Sequence, residues 1–406
     1  MFLNNFLILK GYAKPTALRY LLSHLFELSM TVLIIKVLSE DDIAKYALML
    51  AIVAMIESVN FNVIDKLLFK ERLKTRHIWE KFFKTKILGN VLIYSFFISL
   101  IYSFSLVTSL FSEFDILLCL LFIVASFARV TTHPVVSLGP IFKINVPFIL
   151  DTFCQKALPL LVFVFFCLAQ EANITTLSIS FLFGYGANFF VNLSFCIFFR
   201  PKMRSDVRRY DVISFWLSNI PNNLLNNFEK NGVFLCYGII LNTSQVASMF
   251  IIYRLVRMLL FANSFVKQIG LFFLSRRQVH WSGSILRLWL MPVKIALFVI
   301  TFVILGFFGL TYLDPTQINS DNWILLAFLF SATGVFYSNA IIRAQLVVDK
   351  RIMRLFIGAV AKSGLLLLSL TLLILIGVDP FKAALISLAV SMFFTPLVNF
   401  LLVLER

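Results

Sequence analysis

VLSEDDIAKYAL at residues 37–48 and ILNTSQVASMFI at residues 240–251 decide how this chain is organised. The two segments lie 203 positions apart and align without gaps: Leu38 with Leu241, Ile43 with Val246, Ala44 with Ala247. Each opens a helix with the same kind of cap. Ser39 with Asp42, and Asn242 with Gln245, stand three apart in the N-cap and N3 positions, where two side chains satisfy the free N–H groups of the first turn. A basic loop follows each copy further on. The chain therefore reads as two halves of one plan.

Working outward, apolar runs of about 20 residues, the length that crosses a bilayer core, recur along the whole sequence. Twelve spans are expected: 18–38, 43–65, 87–110, 114–138, 145–168, 174–198, 219–241, 246–270, 289–312, 322–346, 355–377 and 380–403. FLNNFLIL at residues 2–9 is too short for a signal-peptide core and reads as an interfacial lead-in. The composition agrees with the spans. Of 406 residues, 60% are hydrophobic and 14% charged, and 47 are Phe. The mean hydropathy is +0.93. So little polar material cannot cover a soluble domain of this size, which excludes a soluble enzyme, a nucleic-acid-binding domain and a disordered scaffold. An all-α polytopic membrane protein is expected, with about twelve helices in two six-helix lobes, residues 1–205 and 206–406, around a central cavity. Six spans separate the capped segments, so the copies share one orientation, as in a parallel repeat about the membrane normal.

The net charge of +16 is distributed unevenly. One set of loops holds 24 Lys and Arg, including the eight from Lys66 to Lys86 and the five from Arg200 to Arg209. The alternate set holds only Lys36, Lys45 and Lys382, among acids such as Glu40, Asp41, Asp115, Glu171 and Asp379. Cytoplasmic loops carry the excess of Lys and Arg, so both termini are expected in the cytoplasm. The loops of the acidic set are short, which leaves no room for an outer domain. Five cysteines lie singly in apolar runs and read as core filler. The four His residues form no HxxxH pair, and neither a phosphate-binding GxxxxGK[ST] loop nor a GxSxG elbow is present. No metal, no cofactor and no enzymatic activity are expected.

LSEDDIAKYALMLAIVAMI after span 1, NTSQVASMFIIYRLVRMLLF after span 7 and the break GVDPFKAALIS (377–387) between the last two spans resemble one transporter group. The pattern is similar to the polysaccharide flippases of the multidrug/oligosaccharidyl-lipid/polysaccharide exporter (MOP) superfamily, the Wzx-type O-antigen flippases in particular. The resemblance covers the chain as a layout of spans and loops. It implies movement of undecaprenyl-pyrophosphate-linked oligosaccharide from the cytoplasmic to the periplasmic leaflet of a bacterial inner membrane by alternating access. Lipopolysaccharide biosynthesis, with a polysaccharide polymerase and a chain-length regulator as partners beside the membrane lipids, follows from it as an expectation. Nucleic acid is not an expected partner.

Charges inside the spans are the candidate site. A charged side chain at mid-bilayer costs at least about 2.5–3.5 kcal/mol on insertion scales, so such residues face a hydrated interior or a partner. Arg129, Lys156, Lys230, Arg254, Arg257 and Lys362 lie deep. They outnumber the acids Glu27, Glu57, Asp65, Asp151 and Glu229, and a positive interior suits an anionic substrate. Arg254 and Arg257 share a face of span 8 and match paired phosphate oxygens; pairing to Glu57 or Glu229 is the alternative. In span 7, Asn219, Asn223, Asn226 and Lys230 fall at i, i+4, i+7 and i+11, a stripe able to meet sugar hydroxyls or to bond neighbouring helices. Glu57, Asp65, Glu27 and Asp151 are the candidate ion-coupling sites, since without an ATPase motif transport is secondary. Two other functions remain open from sequence: a cation-coupled multidrug exporter of the same superfamily, for which an acidic cavity is expected, and a membrane glycosyltransferase or polymerase, which needs a larger outer loop.

Overall fold

The computed structural model describes residues 22–61, 76–107, 113–132, 150–198, 212–259, 329, 332 and 352–404. Spans 9 and 10, apart from Leu329 and Ala332, lie outside the described residues, and so does Asp65. Every described element is helical. The chain divides into two compact units, Met1–Gly232 and Val233–Arg406.

The first unit contains α1 (residues 22–37), α2 (Glu40–Val59), α3 (Arg76–Val107) and α4 (Glu113–Thr132). It continues with α5 (residues 150–168), α6 (Ile174–Phe198) and α7 (Val212–Asn227). A π-helical turn, Phe153–Ala157, interrupts α5 before its α-helical part, Leu158–Leu168. A second, Phe228–Gly232, follows α7. The second unit contains α8 (Val233–Ile240), α9 (Thr243–Leu259), α10 (Ile352–Leu375) and α11 (Pro380–Leu404).

Both expected caps form. Ser39 Oγ accepts the Asp42 N–H at 3.2 Å. In the second copy the exchange is reciprocal: Asn242 Oδ1 accepts from Gln245 N at 2.9 Å, and Gln245 Oε1 accepts from Asn242 N at 3.3 Å. Helix ends are closed with equal economy. Gly377, at φ +88°, ends α10 with its own N–H on Ile374 O and the Val378 N–H on Leu373 O. That left-handed position favours glycine, which has no Cβ to clash. Asp379 then caps α11 through the Lys382 N–H.

Among the described residues five stretches are long and apolar enough to cross a membrane: Thr85–Ser103, Leu150–Leu168, Ile174–Ser194, Phe356–Leu375 and Pro380–Leu402. Leu92, Phe96, Phe165, Phe190 and Leu368 are exposed on these helices. Such an apolar exterior is a liability in water and suits lipid. The core of the first unit forms where α2 packs against α4, α6, α7 and the second π turn, with α3 and α5 flanking. Ile43, Ala47, Ala51 and Ile56 supply the buried stripe of α2.

Candidate functional site

Two polar clusters lie inside the first unit, and α6 contributes to both. Tyr185, Asn188 and Asn192 fall at i, i+3 and i+7, on one face of that helix.

The first cluster centres on Glu57 of α2. Its Oε1 accepts from Ser126 Oγ of α4 at 2.6 Å and from the Arg129 guanidinium of the same helix, with which it forms an ion pair. Ser126 Oγ is also within 2.9 Å of the Tyr94 hydroxyl from α3. The Arg129 guanidinium lies over the Tyr185 ring, 5.5 Å from its centroid. One turn of α3 before Tyr94, Asn90 receives the Phe61 N–H on Oδ1 and reaches Thr131 through Nδ2. Asn90 and Thr131 are fully buried, and Lys86 is buried on the same face of α3.

The second cluster centres on Asp151 of α5, which has no exposed surface. Its Oδ1 accepts from Gln155 Nε2 at 2.8 Å and Asn192 Nδ2 at 3.3 Å. Asn192 also donates to Asn188 Oδ1 at 3.0 Å, and both amides are fully buried. On the π turn of α5, Lys156 Nζ pairs with Glu27 Oε2 of α1 at 3.3 Å. The π turn brings Lys156 onto α1 while Asp151 stays against α6. Single π turns of this kind occur often at functional sites, because the extra residue re-aims the side chains. α6 approaches α5 very closely here: a Cβ at Gly184 would collide with the Pro159 ring and the Cys154 carbonyl.

The structure thus joins four of the expected site residues into two ion pairs, Glu57 with Arg129 and Glu27 with Lys156, and places the Gln155 and Asn192 amides on Asp151 Oδ1. Asn226 Nδ2 bonds back to the Asn222 carbonyl and to its side-chain oxygen. Asn223 is half-buried on the same helix. Lys230 sits in the second π turn, which breaks the α-helical spacing of the expected stripe; its neighbour Glu229 is buried, whereas Lys230 is exposed. In the second unit Arg254 and Arg257 are half-buried on α9, with the Arg254 guanidinium 4.9 Å from the Phe250 ring centroid. Lys362 is half-buried on α10. Among the described residues no three His, Cys, Asp or Glu side chains converge on a possible metal position.

Sequence reasoning missed Tyr94, Ser126, Gln155, Tyr185, Asn188 and Asn192. The signal for α6 was present, since the face Tyr185–Asn188–Asn192 reads in span 6 as the asparagine stripe reads in span 7. Ser126 and Tyr94 carried none, because single hydroxyls in apolar spans normally bond their own helix, as Ser58 and Ser178 do here.

No protein-family model matches the chain, and a search of curated proteins finds no match either. Solved structures do match, over nearly the full length. A MATE transporter in complex with MaL6 superposes with a TM-score of 0.70 at 12% identity, covering 97% of this chain and 94% of that one. The plant (eukaryotic) MATE transporter AtDTX14 gives 0.65 at 12% identity, covering 100% and 96%. A MOP superfamily transporter from Pyrococcus furiosus, described as having a binding pocket of reverse polarity that suggests a different function, gives 0.69 at 12% identity over 97% and 94%.

These findings correct the expected function. These structures are described as MATE transporters, three of them as multidrug transporters, and not as carriers of lipid-linked oligosaccharide. The assignments to O-antigen flipping and lipopolysaccharide biosynthesis fall with that expectation, as do the polymerase and chain-length regulator as partners. The physical ground for an anionic substrate weakens as well, since Arg129 and Lys156 are neutralised in place by Glu57 and Glu27. Counting charges in the spans could not reveal that they were already paired. The chain is a multi-pass membrane protein whose fold is similar to that of the MATE transporters.

Proposed function

We propose that the chain is a MATE-family exporter of small organic cations, coupled to an inward-moving cation and working by alternating access. In this reading it sits in a bacterial inner membrane with both termini in the cytoplasm, as the Lys and Arg asymmetry of its loops suggests. The fold likeness over nearly the whole chain supports the class of machine.

The observation that carries the coupling is Asp151. This carboxyl group is fully buried, and Gln155 and Asn192 donate to its Oδ1. In this reading, uptake of a cation changes the charge of this buried cluster. It also alters the field at Lys156, five residues along α5, and hence its pairing with Glu27 on α1. Binding of an ion is thereby linked to the attachment of one helix to another. A ligand shifts a conformational equilibrium only by such differential contacts.

The test is efflux of a fluorescent organic cation from everted membrane vesicles carrying the protein. Energised vesicles should accumulate the dye, and dissipating the driving ion gradient should release it. Accumulation equal to that of vesicles lacking the protein, under both proton and sodium gradients, would overturn the assignment.

A further inference from the structure

We propose that Glu57, Ser126 and Tyr185 form a recognition site for guanidinium and amidinium groups, and that Arg129 is its tethered resident, displaced when an organic cation binds. The proposal rests on the reading of the chain as an organic-cation exporter and assigns a subsite to it.

The Glu57 carboxylate and the Tyr185 ring face one guanidinium from two sides. A carboxylate with an aromatic face is the standard chemistry for holding an organic cation, the ring quadrupole adding to the charge pair. Ser126 orients the carboxylate: its hydroxyl donates to Oε1 while itself meeting the Tyr94 hydroxyl, which is 2% exposed. The receptor half of the site is thus held by three helices, α2, α4 and α6, independently of the arginine. The resident half is not locked. Both contacts of Glu57, from Ser126 and from Arg129, fall on Oε1, so the pair lacks the two parallel bonds of an Arg–carboxylate fork. The side chains are also partly accessible, with 32% of Arg129 and 17% of Glu57 exposed. An incoming guanidinium would reproduce every contact that Arg129 makes and add the second oxygen.

Displacement keeps Glu57 paired, one cation replacing another, and releases Arg129 as an additional positive charge that its partly exposed side chain can carry into water. The tether sets the affinity. A group held on a short flexible link competes at an effective concentration in about the millimolar range. A free ligand must overcome that competition, and removing the tether should strengthen binding by about tenfold or more.

Methylguanidinium binding to the purified full-length protein tests this by calorimetry and by thermal shift. The wild type should bind weakly, Arg129→Lys several-fold more tightly, because an ammonium stacks poorly on the ring, and Arg129→Ala at least about tenfold more tightly. Glu57→Gln should abolish binding in the wild-type and Arg129→Lys backgrounds. A folded Arg129→Ala protein that binds no better than the wild type would overturn the proposal. Should that variant fail to fold, equal affinities of wild type and Arg129→Lys would overturn it instead. The readout needs no transport, so the two readings separate: ordered affinities without cation efflux would uphold the subsite and sink the exporter, and efflux without ordered affinities would do the reverse.

Discussion

The two units bury polar groups in different ways. In the first, charged side chains cross between helices: Glu57 meets Arg129, Lys156 meets Glu27, and Asn192 meets Asp151. In the second, several polar side chains of α10 and α11 close on backbone carbonyls. On α11, Ala383, Ser387, Ser391, Thr395 and Asn399 repeat at every fourth position and are all buried. Ser387 donates to the Ala384 carbonyl, Thr395 to the Ser391 carbonyl, and Arg354 of α10 to Leu402 O at 2.5 Å. A seam of small residues lets two helices approach closely and gains its stability from packing. A seam of charges is held by pairs that an ion or a substrate can rearrange. On the proposed reading a change of charge in the first unit has mechanical consequences, whereas the α10–α11 seam is held by packing.

The contrast predicts unequal outcomes for mutation. The largest effect is expected for Asp151→Asn, which keeps the size and removes the charge: cation export should fall more than tenfold per molecule of membrane-inserted protein. Ser391→Ala, in the packed seam, should leave export within about twofold. Quantified membrane fractions and initial efflux rates check both, and equal loss in the two variants would erase the distinction.

Next in size is the Glu57–Arg129 pair. Breaking a buried pair on one side costs about 3–5 kcal/mol, and the partial exposure of this pair reduces that to about 1–3 kcal/mol. Glu57→Gln should lower the unfolding midpoint in detergent accordingly. The double variant Glu57→Gln with Arg129→Gln should recover much of the loss, because no unpaired charge remains. A double variant less stable than either single one would mean that the pair contributes more than its charges.

A similar cost, without any effect on coupling, is expected at Gly358, where a side chain would collide with the Asn399 amide across the α10–α11 seam. Gly358→Leu should destabilise by about 1–3 kcal/mol through overpacking, measured as loss of folded protein on heating in detergent. The ion gradient should still drive whatever folded protein remains.

The smallest effects concern the two capped segments. Ser39→Ala and Asn242→Ala should each cost about 0.5–2 kcal/mol. The second should cost more, because Asn242 and Gln245 exchange two bonds, whereas Ser39 Oγ accepts one. Thermal midpoints of the paired variants decide the order.

The caps and the helices were legible because each rests on local physics. Ser39 and Asn242 act within one turn, and a run such as Ile174–Phe198 crosses a bilayer whatever its neighbours are. Span 6 matches its helix at both ends for that reason. α3 starts at Arg76, earlier than the apolar run beginning at 87, because hydropathy marks only the part in lipid. The site was half legible. Glu27, Glu57, Arg129, Asp151 and Lys156 are conspicuous as charges in apolar spans, but their pairing depends on which helices are neighbours, and no residue encodes that alone. The two π turns were illegible for a related reason. One extra residue per turn leaves an apolar span looking the same, yet it turns Lys156 toward α1 and removes Lys230 from the asparagine stripe.

The central claim is that ion exchange at the Asp151 cluster drives export, and reconstituted liposomes test it most directly. An imposed gradient of an organic cation across the liposome membrane, with no ion gradient present, should drive protons or sodium in the opposite direction. The wild type should show that counterflow at a fixed ratio to the cation moved, and Asp151→Asn should show none. Cation movement by the wild type without any proton or sodium counterflow, or counterflow that persists unchanged in Asp151→Asn, would contradict the account.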